Sequence, residues 1–233
     1  MAIVVNTHSD TILHDISLKI PQGEHCCIVG ANGAGKSTLA KVLCAIRPSE
    51  AVSVKGRSLH RLSPTERKKE INYIPPRLEI YDPYLRVRDY LEMSRHGTRF
   101  GIDEAMEITG ITPLQEHRCL TLSSGEAQLM MTAGALLHDA RYTIFDEPAA
   151  NLDPLHTRRL FGILRNEQLF GTRIVITHHL DLAFHLGYDI LCMEEGCIVF
   201  DGSSEDFFAQ KALQRRYHGA IARHADHIVT EFL

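Results

Sequence analysis

A glycine-rich segment near the N-terminus combines a lysine and a hydroxyl group that can bind phosphate. Gly30, Gly35, Lys36 and Ser37 have the spacing G-x-x-x-x-G-K-S. Glycines let backbone N–H groups turn toward an anion, the lysine reaches the β- and γ-phosphates, and the serine hydroxyl can ligate Mg²⁺. The segment therefore predicts a site for a nucleoside triphosphate. The predicted nucleotide contacts are Gly30, Asn32, Gly33, Gly35, Lys36, Ser37 and Thr38.

Two adjacent acids end the apolar run from Thr143 to Pro148. Asp146 can hold a Mg²⁺ ion and its water shell, and Glu147 can polarise an attacking water molecule. This division of roles suits hydrolysis, whereas a kinase does not need the second acid. We therefore predict Glu147 as the general base and Asp146, with Ser37, as the metal ligands.

The elements that must position these residues alternate between strand-like and helical segments. HCCIVG, directly before the glycine-rich segment, is apolar throughout, as expected of a central parallel strand that is buried on both faces. Similar runs recur at residues 142–145, 173–177 and 189–193, each followed by room for a helix. The pattern predicts an α/β fold with a mostly parallel sheet and helices on its faces.

Three helix starts are marked by capping residues. Ser63 to Glu66 forms a capping box with proline at the first helical position, Asp153 precedes Pro154, and Ser123 has Glu126 three positions later. The stretch from Pro76 to Leu120 is rich in helix formers, which predicts an inserted helical subdomain at about 76–138.

Composition limits the class of protein. A chain of 233 residues with 44% hydrophobic residues can form one domain with a subdomain. No apolar run approaches the ~20 residues needed to cross a bilayer, and MAIVVNTHSD does not resemble a secretion signal, so we expect a location inside the cell. The net charge of -4 argues against nucleic-acid binding.

The segment LSSGEAQ, from Leu122 to Gln128, lies about twenty residues before the acidic pair. Together with the phosphate-binding segment and the acidic pair, it resembles the ATP-binding cassette (ABC) ATPases, whose signature is written LSGGQ. AANLD, from Ala149 to Asp153, is similar to their D-loop, and ITHH, from Ile176 to His179, to their switch region. The resemblance covers roughly residues 10 to 205.

This resemblance implies a P-loop NTPase core with an N-terminal antiparallel β subdomain and the inserted helical subdomain, in an ABC ATPase domain at 1–210. It also implies ATP and Mg²⁺ as cofactors and an ATP-dependent homodimer, in which Ser123 and Gly125 of one copy bind the γ-phosphate held by the other. A hydroxyl and bare N–H groups at a helix N-terminus suit that role. By the same resemblance His178 holds the γ-phosphate and the attacking water, and Asp153 connects the two sites.

The sequence departs from the family pattern at three positions. Pro76 stands where a glutamine is usual, and proline offers no side-chain ligand and no backbone N–H. Ser124 replaces a glycine of the signature, and Glu126 replaces its glutamine. We therefore expect slow ATP hydrolysis.

The layout from Leu59 to Leu91 resembles cassettes of importers for iron chelates, haem and vitamin B12. This implies integral membrane permease subunits as partners, a coupling helix docked on the helical subdomain, and a cytoplasmic location at the inner face of the membrane. A soluble ABC ATPase that serves in assembly or regulation, for example of iron–sulfur clusters, is the alternative. DNA-repair ATPases lack support because no coiled coil or zinc module interrupts the cassette, and a small-molecule kinase leaves the signature unexplained.

The C-terminal tail, 211–233, lies beyond the resemblance. Its histidines, His218, His224 and His227, are irregularly spaced, which favours solvated side chains over a metal site. We expect a helical tail that packs on the cassette or on the second copy in the dimer.

Overall fold

The computed structural model describes residues 1–150 and 152–231, which divide into two compact units. Unit 1 comprises residues 1–60 and those from 174 onward, and unit 2 comprises residues 61–173. The glycine-rich segment belongs to unit 1, whereas the acidic pair and the signature segment belong to unit 2. Among the described residues, no helix has the length and apolar character needed to cross a membrane.

A group of buried strands forms the centre of unit 1. Strand β3 (Cys26–Val29) is completely buried and pairs in parallel with β9 (Asp189–Glu194) on one side and with residues 174–177 of β8 (Thr172–Thr177) on the other. Strand β10 (Cys197–Gly202) runs antiparallel to β9. The apolar runs predicted to be strands are therefore strands, because residues buried on both faces of a sheet need no alternation of polarity.

A second sheet of unit 1 is antiparallel. Its strand order is β2-β1-β4-β5, which confirms the predicted N-terminal antiparallel β subdomain. Alternate residues of β2 are buried and exposed, as a sheet with one solvated face requires. The bounds are β1 (Ala2–His8), β2 (Ile16–Pro21), β4 (Val52–Val54) and β5 (Arg57–Ser58).

The helices of unit 1 are short. They are α1 (Lys36–Leu43), α7 (Leu180–Leu186), α8 (Ser204–Phe207) and α9 (Gln210–Arg216). The tail was predicted to be helical, but within its described residues, 211–231, α9 is the only helix. A hairpin of β11 (Ile221–His224) and β12 (His227–Thr230) follows, since β-branched residues in both segments favour strands and Ala225 adopts the positive φ of a tight turn. Residues 232 and 233 of the tail lie outside the described residues.

Unit 2 contains one parallel strand pair and most of the longer helices. Strand β6 (Ile71–Ile74) pairs in parallel with β7 (Tyr142–Asp146). The helices are α2 (Pro64–Glu70), α3 (Val87–Ser94), α4 (Ile102–Thr109), α5 (Ser124–His138) and α6 (Pro154–Arg165). Helices α3, α4 and α5 lie within the predicted helical subdomain, and the three predicted capping residues, Ser63, Ser123 and Asp153, all cap their helices. The α/β fold class is thus confirmed.

A buried arginine joins the end of α6 to the start of β8. The Arg173 side chain is fully buried, and its Nη1 donates to the main-chain oxygens of Leu164 and Asn166, both at 2.8 Å. These carbonyls end α6, where the helix dipole is negative. The guanidinium therefore satisfies polar groups that a helix leaves without an intrahelical partner.

Candidate functional site

The glycine-rich loop of unit 1 connects β3 to α1 through a backbone that requires glycine. Gly30, Gly33 and Gly35 have φ values of 151°, 84° and 97°, which L side chains rarely adopt. A Cβ atom on Gly30 would lie 2.3 Å from the main-chain oxygen of Met193 in β9. The glycines are thus needed both for the turn and for the close approach of the loop to β9.

The lysine of this loop is held over the loop itself. Lys36 is 6% exposed, and its Nζ donates to the main-chain oxygens of Gly30 and Ala31 at 2.8 and 2.9 Å. The ammonium group therefore lies above the curved backbone on which a phosphate would rest. Ser37 is exposed on the first turn of α1, and Thr38 follows it half-buried, while Asn32 and Gly33 are exposed in the loop.

His178 belongs to the same unit and to the same sheet edge. Val29, the last residue of β3, pairs with Thr177, the last residue of β8. Because the strands are parallel, the phosphate-binding loop and His178 both leave the sheet at its carboxyl edge. The His178 ring is exposed and lies 4.1 Å, centroid to centroid, from the ring of His179.

The acidic pair of unit 2 ends strand β7. Asp146 is fully buried, and the Tyr73 hydroxyl donates to its Oδ2 at 2.8 Å. Tyr73 reaches this carboxylate from the neighbouring strand β6, where it pairs with Ile144. Glu147 has a φ of 49°, a conformation that is strained for a residue with a side chain and that is often found at active sites.

The signature segment begins helix α5 with a complete capping box. The Glu126 N–H donates to Ser123 Oγ at 3.3 Å, while the Ser123 N–H and hydroxyl both donate to Glu126 Oε2 at 2.8 Å. The hydrogen bond from the Ser123 backbone, followed by that from its hydroxyl, lowers the pKa of Glu126. The N-terminus of α5 therefore carries a charged carboxylate at neutral pH, next to the exposed hydroxyl of Ser123.

A histidine connects the signature segment to the D-loop segment within unit 2. A Cβ atom on Gly125 would lie 2.7 Å from Cγ of His156, so the backbone of α5 packs directly on this ring. Asp153 caps α6 by accepting from the His156 N–H at 2.9 Å, and its Oδ2 lies 2.6 Å from His156 Nδ1. These bonds, the backbone one first, lower the pKa of Asp153. Asn151 of the same segment lies outside the described residues.

The structure therefore groups the predicted residues by unit. In unit 1 it brings the phosphate-binding loop and His178 to one sheet edge, and in unit 2 it joins Gly125 to Asp153 through His156. Sequence reasoning missed Tyr73 and His156. The signal for His156 was its position three residues after a capping aspartate, whereas Tyr73 could be found only by pairing β6 with β7.

Pro76 lines a cavity of about 380 Å³ in unit 2. Leu122, Ser124 and Gln128 of the signature segment line the same cavity. The residue that departs from the family pattern is thus close to the segment that carries the other two departures. Since proline has no N–H, it contributes only apolar surface and a carbonyl group there.

A glycine-rich loop between a buried parallel strand and a helix, in a fold of this type, defines a nucleoside triphosphatase of the P-loop class. The chain belongs to the ABC transporter family, because the model for that family, described as ABC transporter, matches residues 13–150. It is an ABC-type ATPase subunit.

Relatives and a solved structure agree with this assignment. The chain is 30% identical to the manganese transport system ATP-binding protein MntB of Bacillus subtilis, over an alignment of 246 positions. The alignment covers 98% of this chain and 95% of MntB. It is 30% identical to the cobalamin import ATP-binding protein BtuD of Halobacterium salinarum, covering 91% of this chain and 56% of the relative. The fold is similar to that of cbiO1 from Clostridium perfringens, which is part of the ABC transporter complex cbiONQ. The TM-score is 0.73 at 24% sequence identity, and the match covers 93% of this chain and 94% of cbiO1.

Proposed function

We propose that the chain hydrolyses ATP to power an importer of an iron chelate, haem or cobalamin-like solute. The observation that carries the proposal is a pair of surfaces suited to phosphate, one on each unit: the glycine-rich loop, which leaves the same sheet edge as His178, and the N-terminus of α5. The named import and transport systems among the relatives support a transport role over the alternative of a soluble assembly factor.

The phosphate-binding roles are proposed as follows. Backbone N–H groups of the loop bind the β- and γ-phosphates, and Lys36 exchanges its two carbonyl contacts for phosphate oxygens. His178, at the same sheet edge, contacts the γ-phosphate. These donors stabilise the negative charge that shifts onto the leaving β-phosphate as its bond to the γ-phosphate breaks.

Ser37 and Asp146 are proposed as the metal ligands. An exposed hydroxyl on the first turn of α1 and a buried carboxylate are the oxygen donors that Mg²⁺ prefers, so these residues suit that ion. Bound Mg²⁺ would neutralise phosphate charge. Tyr73 holds the Asp146 carboxylate in one orientation, which makes it a positioning residue.

Glu147 is proposed as the general base. It lies directly after Asp146 at the end of β7, on a strained backbone of the kind that is often found at active sites. The carboxylate accepts a proton from the water molecule that attacks the γ-phosphate.

An ATP-dependent dimer of two copies is proposed because α5 presents a binding surface that its own unit does not cover. Ser123 and Ser124 are exposed at the N-terminus of this 15-residue helix, where N–H groups and the helix dipole favour an anion. We propose that this surface, including Gly125, binds the γ-phosphate held by the second copy. Asp153, at the start of α6, is proposed to connect the two nucleotide sites.

Permease subunits are proposed to dock on unit 2. Large apolar side chains are unusually exposed there, and a cavity of about 310 Å³ lies beside α3 and α5. The exposed fractions are 92% for Tyr81, 71% for Tyr84, 70% for Met93 and 57% for Leu120. Docking on an integral membrane partner would bury this surface and place the chain at the cytoplasmic face of the membrane.

The proposal is tested by ATP turnover of the chain reconstituted with its permease and each candidate solute. Glu147→Gln should lower kcat about 10²- to 10⁴-fold, as expected when a general base is removed. Glu195→Gln is the matched control, since Glu195 is also a glutamate at positive φ, 45°, whereas its side chain is more exposed than that of the half-buried Glu147. Equal turnover by wild type and Glu147→Gln would refute the assignment of the base, and turnover that no solute stimulates would refute the importer role.

A further inference from the structure

Three side chains of the types that ligate metals meet where helix α7 contacts the C-terminal hairpin of unit 1. Asp181 and His185 are one turn apart on α7, and His227 lies on β12. One ligand atom from each residue lies within 4.8 Å of the other two. None of the residues of this cluster, Asp181–His185–His227, is among those proposed above for ATP binding or hydrolysis.

The distances in the cluster match those between ligands of one ion. His227 Nδ1 lies 3.4 Å from Asp181 Oδ1, and His185 Nδ1 lies 3.6 Å from the same oxygen. Ligands about 2.0–2.1 Å from a tetrahedral ion are about 3.4 Å apart. An ion can therefore be accommodated with small movements of side chains.

One ligand exchanges a hydrogen bond for the ion, and another is held by a backbone group. His185 Nδ1 donates to the main-chain oxygen of Asp181 at 2.8 Å and would give up this bond and its proton to ligate the ion. The Ile228 N–H donates to Asp181 Oδ1, also at 2.8 Å. Such an outer contact orients a metal ligand and raises affinity. It is formed here by the same two elements that supply the ligands.

The donor set indicates the class of ion. Two imidazole nitrogens and one carboxylate oxygen suit Zn²⁺ and its first-row neighbours, whereas Mg²⁺ and Ca²⁺ prefer oxygen ligands alone. The side chains of His185, Asp181 and His227 are 34%, 45% and 66% exposed, so water has access to complete the coordination.

We propose that Asp181, His185 and His227 bind one divalent transition-metal ion of the Zn²⁺ class, which fastens the C-terminal hairpin to α7. Apart from these contacts, the hairpin is held to α7 by Arg223, whose guanidinium carbon lies 4.8 Å from the centre of the Phe184 ring. Helix α7 begins directly after His178 and His179, so the ion would tie the chain terminus to the segment that carries the proposed γ-phosphate contact. The sequence-based expectation of solvated histidines missed this cluster because two ligands precede the tail.

The test uses the full chain without an affinity tag, nucleotide or Mg²⁺. Equilibrium dialysis against Zn²⁺, followed by elemental analysis, should give one ion per chain, and Co²⁺ should give visible d–d absorption. Asp181→Asn, His185→Ala and His227→Ala should each weaken Zn²⁺ binding by more than the about 10- to 100-fold that an outer-shell substitution costs.

Two matched controls distinguish Zn²⁺ binding by this cluster from binding by a thiol or by another histidine. His224→Ala alters a histidine of the same hairpin that contacts Glu231 at 2.6 Å, and Cys197→Ser alters the thiol that is not fully buried. Both should keep wild-type affinity. Because His227 is two-thirds exposed, its substitution leaves the fold intact, which circular dichroism checks.

Hydrogen exchange supplies a second readout that does not depend on affinity. Zn²⁺ should slow exchange of the β11 and β12 amides in the wild type and in His224→Ala, but not in His227→Ala. The proposal would be overturned if the wild type bound no Zn²⁺ at micromolar concentration. It would also be overturned if all three cluster variants bound Zn²⁺ as tightly as the wild type. Either result would leave only His–Asp ion pairs at this position.

Discussion

Replacing Glu126 by glutamine should strengthen the proposed ATP-dependent dimer. Glutamine keeps the capping box, because its side-chain oxygen accepts the same two hydrogen bonds from Ser123. It removes the negative charge that the lowered pKa maintains at neutral pH. The substitution therefore isolates the effect of charge at the proposed γ-phosphate contact from the stability of α5.

The magnitude follows from the capping geometry. The Ser123 hydroxyl donates to Glu126 Oε2 at 2.8 Å, so a phosphate oxygen that accepts this proton in place of Glu126 would be about 4–5 Å from the carboxylate. Two like charges about 4 Å apart repel by ~1 kcal/mol in water, which is a minimum for a contact that the second copy would cover. Two equivalent contacts in a symmetric dimer give about 2 kcal/mol, or about 30-fold in Kd.

The assay is sedimentation velocity with ATP and Mg²⁺ in a Glu147→Gln background, which prevents turnover. Glu66→Gln is the matched control, since Ser63 and Glu66 form the same capping box at α2, with the Ser63 hydroxyl 2.8 Å from Glu66 Oε2. Both variants should unfold at the wild-type urea concentration. Unchanged or weaker dimerisation in Glu126→Gln, with the control unaffected, would refute the reasoning.

Three further predictions concern the loops and the buried groups. Tyr73→Phe removes a hydrogen bond to the buried Asp146 carboxylate, so it should lower the free energy of unfolding in urea by about 1.5–3 kcal/mol. It should also raise the Mg²⁺ concentration needed for half-maximal ATPase activity. Gly30→Ala should lower the melting temperature far more than Gly33→Ala, because a Cβ atom at residue 30 collides with the β9 main chain while nothing lies within 4 Å at residue 33. Burial raises the pKa of the Cys119 thiol to about 11, so iodoacetamide at pH 8 should modify it only after unfolding, as read by mass spectrometry.

Local sequence signals predicted the elements that depend on local physics. The buried strands β3, β7, β8 and β9 follow from uninterrupted apolar runs, and the starts of α2, α5 and α6 follow from their capping residues. The glycine-rich loop was predictable for the same reason, because its backbone conformation demands glycine at fixed spacing. The roles of its residues, like the other proposed site residues, remain predictions for the experiments above.

Contacts between distant segments were not predictable from one sequence. Tyr73 reaches Asp146 only because β6 pairs with β7, and the cluster of Asp181, His185 and His227 requires the hairpin to fold back on α7. The tail was expected to be a helix that packs on the cassette or on a second copy, but Ile221 and Ile228 are β-branched and lie in the hairpin, where Ile221 is half-buried and Ile228 is buried. Tertiary pairing decides such segments more than intrinsic propensity does.

The bonds made by Arg173 bear on how the chain acquires its structure. They link residues only nine and seven positions apart, so α6, the following loop and the start of β8 can close as a local unit with little loss of chain entropy. We therefore expect this helix–strand pair to be among the first structures present in the folding transition state. Long-range pairing such as that of β3 with β8, which joins Cys26 to Ile174, would follow later.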